Sequence, residues 1–394
     1  MVIRTFNPLE SRSFFIFGPR GVGKSTWLNG HYAHLQVLVF NLLDPNIYER
    51  FLLDPKQFLE VITSSENQKK VIIVDEIQRI PALLDIVHYL ISKSKRVFVL
   101  TGSSARRLKQ KGVNLLAGRA SVYFMYPFSM TELGDKFHLQ KALERGLLPD
   151  AYFAQSDIEA HEYLKAYVMM YIEKEIQQEQ WVRKIEPFRK FLNIAAQMNS
   201  KIINKAKIAK QIGVESSTIE SYFEILEDTL LGFRLPGYET SARKQVRLAE
   251  KFYFVDLGLV RAIEKTLSIP LIEHTSYYGS LFESFIVLEI KKFIEYSRID
   301  WTLNYLNTKD NMEIDLVISR PKNSPILIEI KSTAKIFESD TKSLRLLSAD
   351  LDKLHKIKCP KLIISQDKIS REINDIQCCH YSETINRLER LAIS

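Results

Sequence analysis

Short apolar runs alternate with amphipathic and polar stretches over the first 135 residues. The runs are rich in β-branched and aromatic residues, which favours strands, and helical patterns or polar loops separate them. Because strands that alternate with helices usually form a parallel sheet, this pattern predicts an α/β domain. The expected strands are Ser13–Phe17, Val37–Phe40, Val71–Val74, Val97–Leu100 and Ser121–Met125.

The pattern changes after this first region. Residues 126–185 lose the strands and are predicted to be helical, with a charged helix that continues to Gln180. Residues 186–260 form a compact helical module that ends in a β pair, Leu230–Arg234 and Lys251–Val255. From about residue 275 we expect a helix, three strands, a lysine-rich helix and a last strand, namely Leu281–Tyr296, Trp301–Tyr305, Glu313–Ile318, Ile326–Ile330 and Lys361–Ile364.

These changes predict three domains, with boundaries near residues 135 and 270. The first, residues 1–135, is the expected parallel-sheet core, and the second, residues 136–270, is helical. The third, residues 271–394, is a second α/β region. A chain of 394 residues, 46% hydrophobic and 26% charged, is long enough for two or three such domains.

Charge and cysteine content narrow the range of partners and compartments. The net charge of +8 is mildly basic and allows an anionic partner such as nucleic acid without requiring one. Cys359, Cys378 and Cys379 lack CxxC spacing, so neither a disulfide framework nor a zinc site is indicated. We find neither a signal peptide nor an apolar run near the about 20 residues of a membrane span. We therefore expect a cytoplasmic protein without a membrane segment.

A complete phosphate-binding motif follows the first expected strand. The pattern G-x-x-x-x-G-K-[ST] lies between an apolar strand and a helical run, which is the context it requires, although the pattern alone would also suit an ordinary glycine-rich turn. Lys24 is expected to reach the β- and γ-phosphates of ATP, and Ser25 to ligate Mg²⁺. The expected nucleotide-binding residues are Gly18, Pro19, Arg20, Gly21, Val22, Gly23, Lys24, Ser25 and Thr26.

Two carboxylates follow the third expected strand. Asp75 is placed to hold the Mg²⁺ of ATP through water, and Glu76 to polarise the attacking water as the catalytic base. A solvated loop after a buried strand would contain the same residues. The presence of both motifs in order, about 50 residues apart, favours an ATPase site.

Two further positions are candidates for catalysis. Thr101 or Ser103, at the end of the next strand, is expected to contact the γ-phosphate or the attacking water, although such residues are common at strand ends. Arg119, just before the fifth strand, is a candidate arginine finger that acts on a neighbouring subunit. A surface arginine would fit the same spacing.

Taken in order, five motifs resemble those of prokaryotic AAA-superfamily ATPases that carry a C-terminal domain of unknown function. The resemblance spans nearly the whole chain and implies an AAA-type fold, ATP and Mg²⁺ as cofactors, and a homo-oligomer such as a hexamer or another ring. The motifs are Gly18–Ser25, Asp75–Pro81, Thr101–Ser104, Leu116–Arg119 and Tyr126–Leu133.

The middle module has the pattern of a helix-turn-helix. One amphipathic helix runs to Ile212, Gly213 makes the turn, and Ser216 or Ser217 caps a second helix. The family resemblance supports a winged helix here, with the β pair as its wing. Basic residues that can neutralise DNA phosphates flank the module, namely Arg183, Lys184, Arg189, Lys190, Lys201, Lys205, Lys207, Lys210, Arg243, Lys244, Arg247 and Lys251.

The second helix argues against sequence-specific reading of DNA. It carries Glu220, Glu224, Glu227 and Asp228 but no side chain that reads base edges well. DNA-backbone binding and a purely structural module both remain open.

The C-terminal region contains a pattern typical of restriction-type nucleases. Asp315 lies on one strand, and Glu329 and Lys331 lie two residues apart on the next, as in the PD-(D/E)xK pattern. Two such carboxylates bind Mg²⁺, and the lysine activates water or stabilises the charge of the transition state. The resemblance implies a restriction-endonuclease-like fold and adds Glu283 from the preceding helix. Asn307 stands where an arginine often precedes the hairpin, which affects expected substrate contacts.

Two functions follow from these motifs. In the first, ATP hydrolysis at subunit interfaces drives a DNA-acting winged-helix and nuclease-like pair, in defence or mobile-element control. In the second, ATP switches the assembly of a protein that binds DNA or a protein partner and cleaves nothing. A solvent-exposed hairpin, or a degenerate domain that only binds, would keep the same C-terminal strands.

Overall fold

The structure is a computed structural model that describes residues 2–64, 70–103, 118–173, 182, 185–239, 249–308 and 312–393. It contains two compact units. The first comprises Met1–Phe128 and Phe223–Leu231, and the second comprises Ser129–Tyr222 and Gly232–Ser394.

A five-stranded sheet forms the centre of the first unit, counted over its described residues. The strands are β1 (Ser13–Phe17), β2 (Val37–Asn41), β3 (Val71–Asp75), β4 (Val97–Gly102) and β5 (Ala120–Phe124). All neighbouring strands are parallel, in the order β2-β3-β4-β1-β5, which confirms the predicted parallel α/β domain.

Helices connect these strands. They are α1 (Lys24–His31), α2 (Pro45–Leu53), α3 (Lys56–Thr63) and α4 (Leu83–Lys93). The apolar faces of α2, α3 and α4 pack on the sheet through Phe51, Phe58 and Val87, all buried. The sheet order places β4 between β3 and β1, so the residues after these three strands meet at one edge of the sheet.

The first half of the second unit is helical, as the loss of strands after residue 125 predicts. Residues 167–173 form a π-helix, and the predicted continuation to Gln180 lies outside the described residues. The helices are α5 (Met130–Leu133), α6 (Leu139–Arg145), α7 (Pro149–Tyr152), α8 (Asp157–Ala166), α9 (Ile185–Gln197), α10 (Lys205–Ile212), α11 (Ser216–Asp228) and α12 (Leu257–Glu264). Of these, α11 passes from the second unit into the first at Phe223.

A turn and a two-stranded ribbon complete the middle of the chain. Gly213 ends α10 in the left-handed conformation, with φ of 82°, where a side chain would be strained. The antiparallel ribbon consists of β6 (Gly232–Leu235) and β7 (Lys251–Phe254), close to the predicted pair. Isolated β-bridges also connect Asn199 and Ile202 to β7, so a short segment of the chain pairs with this strand in addition to β6.

A six-stranded mixed sheet dominates the last part of the chain, again over the described residues. The elements of this part are α13 (Ser276–Ser297), β8 (Thr302–Asn307), β9 (Glu313–Arg320), β10 (Asn323–Ile330), α14 (Lys342–His355), β11 (Lys361–Ser365), β12 (Arg371–Ile373), β13 (Ile376–His380) and α15 (Thr384–Ile393). The strands of the sheet lie in the order β12-β13-β11-β10-β9-β8.

Two of these strands were not predicted from the sequence. β12 has only three residues and begins with Arg371 and Glu372, so it lacks the apolar run that marks a strand. β13 follows it after a tight turn at Asn374 and Asp375, both with positive φ. None of the described helices is long and apolar enough to cross a membrane.

Candidate functional site

The phosphate-binding loop connects β1 to α1 and is shaped by its glycines. Gly21 and Gly23 have φ of 72° and 92°, which a residue with a side chain adopts only under strain. Gly18 lies against the carbonyl of Met125, where a Cβ would collide with backbone. The loop is therefore held in a form that brings backbone N–H groups and the start of α1 together, as phosphate binding requires.

The lysine of the loop is buried in this structure. Lys24 is 6% exposed, and its Nζ donates to the carbonyls of Gly18 at 2.7 Å and Pro19 at 3.0 Å. Both acceptors belong to the loop itself, so the ammonium group lies inside the curve of the loop. A phosphate bound there would compete with these carbonyls for the same charge.

Ser25 and Asp75, the two expected Mg²⁺ ligands of the nucleotide site, are in contact. The Ser25 hydroxyl donates to Asp75 Oδ2 over 2.8 Å. Thr101 is fully buried, and its hydroxyl donates to the other Asp75 oxygen and accepts the Glu76 N–H at 3.1 Å. This hydroxyl therefore orients Asp75, and the contact of Thr101 with the γ-phosphate stays a prediction.

Glu76 occupies a constrained position directly after β3. Its φ of 61° is unusual for a residue with a side chain, and it is 8% exposed. Gln78 Nε2 donates to Glu76 Oε2 and, over 3.1 Å, to Ser103 Oγ. A Cβ at Gly102 would lie 2.6 Å from Gln78 Oε1, so this glycine gives Gln78 its room. Sequence reasoning missed Gln78, because a polar residue in a turn carries no distinctive pattern.

Arg119 lies in the bend before β5 and is exposed. An exposed position is required of a residue that reaches a neighbouring subunit, and equally suits an ordinary surface arginine. Ser104, and residues 116 and 117 of the motif that ends at Arg119, lie outside the described residues.

The C-terminal candidates meet on the second unit's mixed sheet. The antiparallel register pairs Leu316 with Ile328, and its continuation sets Asp315 opposite Glu329. Asp315 Oδ2 accepts the Ile330 N–H at 2.7 Å, and Lys331 Nζ donates to Glu329 Oε1 at 2.7 Å. The structure therefore brings together the acid and the Glu-x-Lys pair.

Glu283 joins this group from α13 through residues of the ribbon. Its Oε1 accepts the Tyr253 hydroxyl at 2.8 Å and the Lys251 ammonium at 3.2 Å. Lys251 also pairs with Glu313 on β9. We call Glu283, Glu313, Asp315 and Glu329, with Lys251 and Lys331, the carboxylate cluster. Lys251 was predicted to belong to a DNA-binding surface, and this is wrong, because its side chain is only 4% exposed.

The carboxylate cluster is short of positive charge. Burial, followed by the charge of Asp315, raises the pKa of Glu283 to about 7 and that of Glu329 to about 7. Burial also raises the pKa of Asp315. Burial alone would lower the pKa of Lys251. The negative charges of Glu283, Glu313 and Asp315 outweigh this effect, so the pKa of Lys251 is raised. With every group ionised, four carboxylates face two ammonium groups, and two negative charges remain.

The residues fit a divalent cation held by two carboxylates. Glu329 Oε2 is buried without a hydrogen-bond partner, so a cation would satisfy it. The described residues contain no group of three or more His, Cys, Asp or Glu side chains arranged around a metal position. Asp315 and Glu329 alone would suit Mg²⁺, which keeps several of its waters in proteins.

The basic residues around the middle module divide into two sets. Arg189, Lys190, Lys201, Lys207 and Lys210 are exposed, and Arg189 also pairs with Glu186. Lys205 and Arg234 instead pair with Glu220. The expected Arg183, Lys184, Arg243, Lys244 and Arg247 lie outside the described residues.

Family comparisons match three consecutive stretches of the chain. Residues 10–134 match a family described as AAA domain. Residues 136–269 match a domain of unknown function (DUF8612), and residues 278–383 match another (DUF4143). Together with the loop, sheet order and Ser25–Asp75 contact, the first match identifies residues 10–134 as an AAA-type P-loop domain.

Relatives and solved structures add little about activity. An uncharacterized protein of Mycobacterium tuberculosis is 23% identical over 336 residues, which cover 85% of this chain and 73% of that protein. An uncharacterized protein of Haemophilus influenzae is 24% identical over 274 residues, 62% of this chain and 68% of that one. The ADP form of the Aeropyrum pernix ORC2 protein covers 66% of this chain and 88% of its own, with 13% identity and a TM-score of 0.32. A TM-score this low supports no conclusion about function.

Proposed function

We propose that the chain binds and hydrolyses ATP at the P-loop site and that the nucleotide state controls a DNA-acting C-terminal region. The observation that carries the first part is the contact of Ser25 with Asp75 beside the buried Lys24. This arrangement supports the proposal, because Lys24 would bind phosphate and Ser25 and Asp75 would hold Mg²⁺ at one edge of a parallel sheet.

In this proposal each residue of the P-loop site has one task. Lys24 leaves the carbonyls of Gly18 and Pro19 and binds the β- and γ-phosphates. Ser25 and Asp75 would hold Mg²⁺, which supplies positive charge as the γ-phosphate bond breaks. Glu76 accepts a proton from the attacking water, and Arg119 stabilises the transition state in a neighbouring subunit of an oligomer.

A Glu76→Gln variant tests the hydrolysis step. The amide keeps the shape of the side chain but cannot accept the proton, so we expect ATP binding near that of the unchanged protein and a large loss of turnover. Glu49→Gln, an exposed glutamate on α2, is the matched control. An unchanged turnover in the Glu76 variant would show that another group is the base.

For the second unit, we propose metal-dependent cleavage of a phosphodiester at the carboxylate cluster. The order α13, β8, β9, β10, α14, β11 supports a restriction-endonuclease-like fold, and Asp315 and Glu329 would hold Mg²⁺. Lys331 orients the attacking water and stabilises charge on the phosphate. The exposed lysines at 190, 201, 207 and 210, beside helices and a ribbon in winged-helix order, support binding of the DNA backbone.

Cleavage assays distinguish this function from a binding-only assembly. The ion pair of Lys331 with Glu329 favours the second candidate, an ATP-switched assembly that binds DNA or a protein partner, because it occupies the lysine within the protein. We expect Mg²⁺-dependent cleavage that is lost in Lys331→Ala and kept in the exposed helix control Lys353→Ala. Absence of cleavage on single- and double-stranded DNA, with and without ATP, would favour the binding-only assembly.

A further inference from the structure

The carboxylate cluster includes a lysine from outside the C-terminal sheet. Lys251 begins β7 of the ribbon, whereas Glu283, Glu313, Asp315 and Glu329 come from α13, β9 and β10. More than thirty residues separate it from the first acid along the chain. The ribbon therefore contributes a charged group to a site built mainly by a later part of the chain.

Strand geometry explains how the ribbon reaches this site. Residues two apart on a strand face the same side, so Lys251 and Tyr253 point together. Both donate to the same atom, Glu283 Oε1, at 3.2 and 2.8 Å. The Lys251 ammonium also pairs with Glu313 and lies 5.4 Å from the centre of the Tyr305 ring. These contacts leave Lys251 a single orientation, directed at the acids.

The burial of Lys251 excludes an ordinary role in DNA binding. Its side chain is 4% exposed, so it cannot meet a phosphate at the surface. A buried ammonium group is costly unless acids surround it, and here Glu283 and Glu313 compensate it. The lysine therefore pairs with these two acids, while Lys331 pairs with Glu329 and Asp315 accepts the Ile330 N–H.

We propose that Lys251 is a positioning residue of the carboxylate cluster. It holds Glu283 and Glu313 away from the metal, so that Asp315 and Glu329 alone act as protein ligands of one divalent cation. This proposal rests on the metal site proposed above. The site would then be composite, because Lys251 comes from the ribbon of the middle region. This lysine would set the net charge of the carboxylate cluster and the number of its carboxylates that bind the cation.

Calorimetric titration of the full chain with Mn²⁺ tests this role without relying on cleavage. In Lys251→Met, Glu283 and Glu313 lose their counter-ion, and we expect binding about tenfold tighter, or uptake of a second Mn²⁺. Lys251→Arg keeps the charge and should behave like the unchanged protein. Asp315→Asn identifies the site, because it should lose the Mn²⁺ in question.

The variants separate the possible results. Unchanged affinity and stoichiometry in Lys251→Met, with binding lost in Asp315→Asn, overturns the role of Lys251 and leaves the metal site standing. Binding unaffected by Asp315→Asn overturns both proposals. If Lys251→Met does not fold, the double variant Lys251→Met/Glu283→Gln restores the charge balance. Glu313 still lacks its counter-ion in this double variant, so Mn²⁺ binding about tenfold tighter than in Glu283→Gln alone would support the role, and equal binding in the two variants would overturn it.

Discussion

The hydroxyl of Ser25 donates to Asp75 Oδ2 over 2.8 Å, although fifty residues separate the two in sequence. Ser25 lies in the first turn of α1 and Asp75 is the last residue of β3, so their contact depends on the order of the strands in the parallel sheet. The order of the parallel sheet therefore brings the two proposed Mg²⁺ ligands together.

Removal of the serine hydroxyl should weaken binding of ATP with Mg²⁺ selectively. In Ser25→Ala we expect about tenfold weaker binding when Mg²⁺ is present and little change when it is chelated, because the hydroxyl acts through the metal. Fluorescent ATP titrations with and without chelator measure the difference. Ser11→Ala, an exposed serine of the same unit, is the control. Equal weakening in both conditions would show that Ser25 acts on the loop rather than through Mg²⁺.

Thr101 should matter for stability as well as for turnover. Thr101→Val keeps the shape of a fully buried side chain but removes a hydroxyl that bonds Asp75 and the Glu76 N–H. Two buried polar groups then lose a partner, which costs about 1–3 kcal/mol. We expect a lower midpoint in thermal melting and slower ATP turnover, with Thr101→Ser close to the unchanged protein. A Thr101→Val variant of full stability would contradict the assigned contacts.

The P-loop domain is predictable from sequence because its chemistry is local and periodic. Residues 18–25 match a motif whose glycines have one structural explanation, and apolar runs such as Val71–Asp75 mark buried parallel strands. The roles of Thr101 and Gln78 depend on which side chains lie across the sheet, and a single sequence does not contain that information.

The surroundings of Lys251 were likewise not predictable from the sequence. In a sequence it adds one positive charge to a basic stretch, and charge alone says nothing about burial. Its true surroundings come from Glu283 and Glu313, which follow 32 and 62 residues later. The acids Asp315 and Glu329 were found from their spacing, because adjacent strands of a hairpin bring them together. The place of Lys251 in the same cluster was not predicted, because no local sequence pattern links the ribbon to that hairpin.

Gln78 should affect catalysis more than nucleotide binding. Its amide bonds Glu76 and Ser103, and Gly102 leaves the space for it. In Gln78→Ala we expect a fall in kcat of roughly 10²-fold with a small change in KM for ATP, because a misplaced base impairs only the chemical step. Steady-state ATPase kinetics measure both constants. A matching rise in KM would instead show that Gln78 shapes the binding pocket.

The stability of the second unit should fall as the pH rises, owing to Glu283. Burial and the charge of Asp315 raise the pKa of Glu283 to about 7 in the folded chain, from an ordinary value near 4.5. Between these two values Glu283 is protonated in the folded chain and ionised in the unfolded chain. Its contribution to the free energy of unfolding is therefore complete below about pH 4.5, falls as the pH rises and is lost above about pH 7. Since one pKa unit corresponds to about 1.4 kcal/mol, the loss by pH 8 is on the order of 3 kcal/mol.

Comparison of variants isolates this effect from other titrating groups. His161 and His380 have lowered pKa values, chiefly through burial, and act in the opposite direction near pH 6.5. Both are retained in Glu283→Gln, so their effects cancel in the difference between this variant and the unchanged protein, which reports Glu283 together with its interaction with Asp315. Denaturant unfolding at pH 5 and pH 8 should show a smaller decrease in the variant, whereas the exposed control Glu295→Gln should follow the unchanged protein. Equal decreases in all three would mean that Glu283 is ionised at pH 5, and Lys251 would then compensate it fully.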